Sequence, residues 1–333
     1  MSLRLDDFDY NLPEELIAQK PATPRDHSRL LVYDRQNNTI TDDYFYNIGK
    51  HLPEDTSIVV NNSKVEKCRL LFNGGRIEIF VTKAVDNRIV EAMVRPGKKF
   101  RAGKTVDLTD ELSAKTISIA EDGIRTIELS HPLDDDEVTP YKHTPFPPYI
   151  ERDESLSERY QTVYAKDSGS KAAPTAGLHF TSELLGKLES QGIRKNEVTL
   201  HVGLGTFAPV KADRIEDHIM HSEWYQISQQ QAYALNKSKR VTAVGTTSVR
   251  VLESAPKEGD RFVPCSGETD IFITPGYTFK SVDHLITNFH LPKSTLLMLI
   301  AAFVGFDEMK QIYEHAIREK YRFYSFGDAM LIL

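Results

Sequence analysis

An abrupt change of hydrophobic period near residue 64 constrains this chain more than any other feature of its sequence. From there to residue 150, apolar and polar residues alternate in short runs: Arg76-Ile-Glu-Ile-Phe-Val81, Ile89-Val-Glu-Ala-Met-Val94, Thr116-Ile-Ser-Ile119 and Arg125-Thr-Ile-Glu-Leu129. Turn signals separate them, namely Asn73-Gly74-Gly75, Asp86-Asn87, Pro96-Gly97 and Asp122-Gly123. Successive side chains point to opposite faces only in an extended strand, so evenly spaced runs of this kind predict a small antiparallel barrel or sandwich. Pro145-Phe-Pro-Pro148 closes the stretch as an extended linker.

On either side the pattern is that of a mixed α/β fold. Residues 12–18 suit a helix opened by Pro13, residues 29–33 and 57–60 suit strands, and Asn37-Asn38 suits a turn. After residue 150, helices are expected over 155–165, 181–191, 248–253, 293–304 and 306–320. Strands are expected over 196–202, 225–227, 240–244 and 271–273. The predicted fold class is therefore α/β. A discontinuous mixed α/β domain, residues 1–63 and 151–333, carries an inserted β-barrel-like domain, residues 64–150. At 333 residues two domains are the natural expectation.

Several classes are excluded early. The longest apolar run, residues 296–304, is nine residues long, against the roughly 20 that cross a bilayer. No membrane partner is expected. The opening MSLRLDDFDY is acidic and lacks the apolar segment of a secretory leader. Cys68 and Cys265 stand far apart, which argues against a disulfide scaffold or a four-cysteine zinc site and points to a reducing cytoplasm.

Charge is unevenly spread. The net charge is −7, yet residues 64–104 hold eleven Lys and Arg against four acids, while residues 105–150 hold ten acids against three bases. Such a stretch suits either a solvated strand face or a local contact for nucleic acid.

The chemistry-bearing segments lie outside the insert. His201-Val-Gly203-Leu-Gly205-Thr-Phe-Ala208 formally fits a dinucleotide glycine motif, but Pro209 follows where that motif must open a helix. A close backbone approach to a ligand or loop is the better reading. Gly245-Thr246-Thr247-Ser-Val-Arg250 follows a strand and opens a helix. It offers hydroxyls and free N–H groups to a carboxylate or phosphate, or else simply caps the helix. Ala172-Ala-Pro-Thr175-Ala-Gly-Leu-His179-Phe180 is a loop of small residues with one histidine, which suits a ligand wrap or a structural histidine. In His218-Ile-Met-His221-Ser-Glu223-Trp224 two histidines three apart on a helix would share a face, but no third and fourth metal ligand is evident. Acid–base or hydrogen-bonding work fits it better than a metal. Thr287-Asn288-Phe-His290-Leu-Pro292 sets polar residues at the mouth of an apolar helix. Phe326-Gly-Asp328 places an acid in what reads locally as a turn.

Taken together these segments resemble the S-adenosylmethionine:tRNA ribosyltransferase-isomerase family of queuosine biosynthesis. The resemblance also runs through Asp7-Phe-Asp-Tyr-Asn-Leu-Pro13, Val60-Asn-Asn62, Val94-Arg-Pro-Gly97, Tyr160-Gln-Thr-Val-Tyr-Ala165 and residues 321–330, nearly the whole chain. It implies transfer and isomerisation of the ribosyl part of S-adenosylmethionine onto 7-aminomethyl-7-deazaguanine at the tRNA wobble position. Epoxyqueuosine-tRNA is formed, and adenine and methionine leave. It implies no metal and no cofactor beyond S-adenosylmethionine as co-substrate, a tRNA partner with a G-U-N anticodon, and a monomer. Carried onto this sequence, it makes His179, His201, His221, Glu223 and Asp328 the candidate catalytic groups. Thr175, Gly203, Gly205, Thr246, Thr247, Arg250, Asn288 and His290 become substrate-binding candidates. Arg95, Lys98, Lys99 and Arg101 of the insert become tRNA-binding candidates. The rival classes are a methyltransferase, a non-catalytic RNA-binding module and a nicotinamide oxidoreductase. Each leaves part of these segments unexplained.

Overall fold

The computed structural model describes residues 3–203, 205, 210 and 212–333. Its chain divides into two compact units, one holding Met1–Lys64 and Pro147–Leu333 and the other Val65–Phe146.

The first unit is built on a nine-stranded sheet. Its centre is four strands in parallel, in the order Arg194–Leu200, Thr56–Asn61, Arg240–Val244 and His284–Asn288. Antiparallel strands extend it on both sides. Glu223–Ile227 and Cys265–Thr269 lie beyond Arg194–Leu200, and Ala329–Ile332 lies beside His284–Asn288. Arg29–Asp34 then pairs in parallel with Ala329–Ile332, and Thr39–Tyr44 closes the edge.

Parallel strands are buried on both faces, and here alternate residues enter two separate cores. Val59, Ala243, Leu285 and Met330 join the core covered by the helices Gln229–Leu235, Thr246–Ser254, Thr295–Val304 and Phe306–Arg318. Ile58, Val60, Val244, Ile286 and Leu331 join the other, under Phe45, Ile48 and the helix Ser182–Ser190. A slip of one residue in any central strand would exchange its two faces, so the pairing register is firmly set.

The second unit is a seven-stranded, wholly antiparallel sheet. Its order is Lys142–His143, Arg69–Phe72, Ile77–Ala84, Ile89–Arg95, Arg125–Leu129, Ser113–Ile119 and Thr105–Asp107. The period-two runs of the sequence supply four of these strands.

Some local expectations fail for identifiable reasons. Residues 12–18 form only the 3-10 turn Glu14–Leu16, because Ile17 is drawn into a parallel bridge with Phe323. Residues 155–165 form two 3-10 turns, Glu154–Leu156 and Glu158–Tyr160, rather than a helix. Arg25 takes the Glu158 and Gln161 carbonyls that a helix would have used. Residues 218–222 are not helical, so His218 and His221 do not share a helix face. Residues 271–273 are not a strand; the strand is Cys265–Thr269 just before. Of the glycine motif at 203–208, Leu204, Thr206, Phe207 and Ala208 lie outside the described residues.

Gly327 closes the turn that delivers Asp328 to the sheet. A Cβ there would lie 2.4 Å from the Arg322 carbonyl oxygen and 2.6 Å from the Phe323 carbonyl carbon, both backbone atoms that cannot swing away. Gly327→Ala should therefore cost about 3 kcal/mol, read as a lower urea midpoint at unchanged slope. An unchanged midpoint would mean that the turn yields.

Candidate functional site

Because the four central strands run in parallel, their carboxyl ends all reach one edge of the sheet. This is where ligands bind in open α/β sheets. The same edge receives the start of the antiparallel strand Ala329–Ile332 and, beyond Arg194–Leu200, the start of Glu223–Ile227. It thus gathers the ends Asn61, Leu200, Val244 and Asn288 together with Glu223 and Asp328.

Two adjoining recesses open there and share Thr246, Thr247 and Leu296. The larger is lined by Thr175, Asn288 and His290 with Tyr149, Tyr324 and the small residues of the 172–176 loop. The smaller is lined by Gly205, His218, His221, Glu223 and Arg250. Thr246 and Thr247 open the helix Thr246–Ser254 after Gly245, whose φ of 84° suits glycine and whose N–H is held 2.7 Å from the Ile286 carbonyl. No side chain caps this helix, and Thr246 and Thr247 at its positive end line both recesses.

Arg250 and Glu223 are a buried ion pair at the rear of the smaller recess. Glu223 Oε1 accepts the Gly203 N–H at 2.8 Å, and an Arg250 Nη2 N–H donates to the Thr269 carbonyl at 3.1 Å. Arg250 Nε and the Thr247 hydroxyl have no hydrogen-bond partner among the described residues, although both atoms are buried. Both can donate to an acceptor placed in the recess. His221 is exposed and packs over Gly205.

Beneath the larger recess lies a polar chain. Asn288 donates to the Tyr324 carbonyl at 3.2 Å and accepts from Thr175 Oγ1 at 3.1 Å, which fixes the orientation of its amide. Its Nδ2 then faces His179 Nε2 at 3.1 Å, so Nε2 must be the unprotonated nitrogen. His179 Nδ1–H therefore donates to Ser28 Oγ at 2.8 Å. His179 is buried against Phe45 and lines neither recess. Burial pushes its imidazole down to about 4, with Asp328 opposing.

His290 does line the recess. Its Nε2 meets Thr287 Oγ1 at 2.9 Å, and its peptide N–H donates to the Tyr313 hydroxyl at 3.0 Å. The Tyr10 hydroxyl donates to its carbonyl. Burial holds this imidazole at about 3.

Asp328 is also below the surface. It accepts the N–H groups of Arg29 and Arg322 at 3.0 and 2.8 Å and pairs with the Arg322 side chain. His201 lines neither recess; its ring stacks on Trp224 at 4.9 Å and packs against Gly169. The edge therefore brings together His221, Glu223, Thr246, Thr247 and Arg250, and beside them Thr175, Asn288 and His290. His179 and Asp328 become supports, and His201 stands aside. Sequence reasoning missed Ser28, Tyr10 and Tyr313, which act by touching residues distant in sequence.

The insert candidates Arg95, Lys98, Lys99 and Arg101 are all exposed on the second unit. They follow one another through the strand end at Arg95 and the 3-10 turn Gly97–Lys99.

Comparison with known proteins supplies independent findings. A family described as Queuosine biosynthesis protein matches residues 5–332. An S-adenosylmethionine:tRNA ribosyltransferase-isomerase from Carboxydothermus hydrogenoformans is 49% identical, over 99% of this chain and 100% of that protein. A relative of the same name from Thermotoga petrophila is 47% identical with the same coverage. The fold is similar to the crystal structure of an S-adenosylmethionine tRNA ribosyltransferase from Thermotoga maritima. There the identity is 38%, the coverage 98% of this chain and 100% of that one, and the TM-score 0.56.

The two buried imidazoles make stability depend on pH. Unfolded histidines protonate near 6.5, whereas folded His179 and His290 resist until about 4 and about 3. Between those values the unfolded chain binds more protons, so stability falls as pH falls below about 6.5. Urea midpoints measured from pH 7 to pH 4 should decline, and decline less steeply in His290→Gln. Parallel profiles for variant and wild type would remove His290 from this linkage.

Proposed function

The chain belongs to the S-adenosylmethionine:tRNA ribosyltransferase-isomerase family of queuosine biosynthesis, and from that premise we propose that the recesses at its carboxyl strand edge are where the reaction takes place. The reaction transfers the ribosyl moiety of S-adenosylmethionine to the aminomethyl group of 7-aminomethyl-7-deazaguanine at the tRNA wobble position. It isomerises that moiety to an epoxycyclopentanediol and releases adenine and methionine. The observation that carries the assignment is the unsatisfied Arg250 Nε and Thr247 hydroxyl at an uncapped helix start, within a chain that matches the family along its whole length.

The chemistry divides among the residues as follows. The sulfonium acidifies the ribose C5′ protons, so a base must remove one. Adenine departs more readily when a ring nitrogen is protonated, and the aminomethyl group must lose a proton before it attacks. Epoxide closure then expels methionine as a neutral thioether. Arg250, Thr247 and the first N–H groups of the helix Thr246–Ser254 would receive the carboxylate of the methionyl group. His221, exposed at the mouth and beside Glu223 in the same recess, is the imidazole best able to exchange protons with substrate. Asn288, Thr175 and His290 would contact the base or ribose. His179, neutral at pH 7, holds Asn288 rather than taking the substrate proton itself. His201 and Asp328 have positioning roles in this reading. No metal or further cofactor is invoked.

In the second unit, Arg95, Lys98, Lys99 and Arg101 would neutralise phosphates of a tRNA with a G-U-N anticodon. The protein is proposed to act as a cytoplasmic monomer. Among the described residues no helix is long and apolar enough to cross a membrane.

The decisive assay incubates the protein with S-adenosylmethionine and tRNA carrying 7-aminomethyl-7-deazaguanine, then follows free adenine and the digested nucleosides by mass spectrometry. Adenine together with a nucleoside heavier by the rearranged ribosyl unit is expected. A methylated nucleoside with S-adenosylhomocysteine would overturn the reading. Thr247→Ala should raise KM for S-adenosylmethionine about tenfold, the loss of one charge-assisted hydrogen bond, with KM for tRNA unchanged. Changing Lys98, Lys99 and Arg101 to Ala should weaken tRNA binding and reduce its logarithmic salt slope by about 2 to 3. An unchanged slope would exclude these residues as the phosphate contact.

A further inference from the structure

An exposed aromatic ladder stands at the outer end of the same sheet edge. Arg29 and Tyr44 are paired residues of the last two strands, so Tyr44 ends its strand on the edge where Ser28 supports His179. The Tyr44 and Tyr46 rings lie parallel, 6° apart in plane with centroids at 5.5 Å, and the His27 ring lies 5.1 Å from Tyr46, tilted by 50°. Tyr44 is 47% exposed and the His27 side chain 55%. Tyr46, between them, is half-buried, so the cluster presents the Tyr44 and His27 rings to water.

Two arginines lie near the rings, together with the carboxylates Asp26 and Asp43. Arg25, two residues before His27, donates to the carbonyls of Gln161 and Glu158, and Arg159 donates to the Ala22 carbonyl and to Thr23 Oγ1. Neither forms an ion pair among the described residues; both donate to backbone carbonyls. The two are close enough that Arg159, after burial, helps lower the proton affinity of Arg25. The neighbouring acids are already engaged, Asp26 by His27 and Asp43 by His51 and Asn47.

We propose that the His27–Tyr46–Tyr44 ladder, with Arg25 and Arg159, is a stacking platform for an unpaired RNA base next to the nucleotide being modified. This rests on the reading of tRNA as substrate and adds a second RNA-binding element, on the catalytic unit itself. Aromatic faces bind bases in loops whose neighbours have been unstacked, and guanidinium groups beside them hold the backbone. Flipping a loop base into a recess creates such an unstacked neighbour.

The test measures RNA binding and turnover separately, with full-length protein and substrate tRNA. Tyr44→Ala and Tyr46→Ala should each weaken tRNA binding about tenfold or more and raise KM for tRNA alike, with KM for S-adenosylmethionine unchanged. Tyr44→Phe and Tyr46→Phe should stay near wild type, because stacking uses the ring and not the hydroxyl. A tRNA made abasic at one loop position beside the target should bind wild type more weakly and lose nothing further with Tyr44→Ala. Alanine variants with wild-type tRNA affinity, or equal additional losses for every abasic tRNA, overturn the platform. Tyr44-dependent tRNA binding without adenine release would support the platform and overturn the proposed reaction instead.

Discussion

The parallel pairing of Thr56–Asn61 with a strand on each side is the constraint on which the rest of the first unit depends. All six residues of this strand are buried, so both faces must be covered, and they are covered by two different cores. Parallel neighbours also end together. At the carboxyl end Asn61 ties the strand to its neighbour, accepting the Leu200 N–H and donating to the Leu200 carbonyl, both at 3.0 Å. The loops that follow the four strands consequently open beside one another, although 227 positions separate Asn61 from Asn288 in the sequence.

A second layer of order lies under the recesses. Ser28, His179, Asn288 and Thr175 form a continuous hydrogen-bonded chain, and Asp328 gathers two backbone N–H groups and a guanidinium close by. Buried polar groups of this kind are costly unless fully satisfied, and when satisfied they fix a single arrangement. The Asn288 amide is held from three sides, which sets both its own orientation and the tautomer of His179. Among the described residues, Arg250 Nε and the Thr247 hydroxyl lack partners at the smaller recess, where a ligand would meet them, and the Thr162 and Tyr164 hydroxyls lack partners deeper in the unit.

Charge follows the same division of labour. The chain is acidic overall, yet residues 64–104 hold eleven Lys and Arg against four acids. A polyanion can thus be held by local patches without a protein that is basic throughout. Opposite in character is the Glu223–Arg250 pair, buried and mutually neutralised, in which Arg250 keeps its Nε as a donor beside the helix start at the smaller recess.

By itself the sequence determined the change from α/β to all-β pattern, the places of most central strands and helices, the polarised insert and the family resemblance. These are properties of local period, turn chemistry and motif, which short stretches carry on their own. The tertiary structure decided whether residues 12–18 and 155–165 were helical, because partners far along the chain took their backbone groups. It also decided the functional standing of each histidine. His179, His201, His221 and His290 all stand in sequence as candidate site histidines. Only the strand order shows that the first is walled in by Ser28 and Asn288, the second stacked on Trp224, the third open to water and the fourth pinned by Tyr10 and Tyr313. Burial and hydrogen-bond partners set what an imidazole can do, and they come from residues that adjacency in sequence does not reveal.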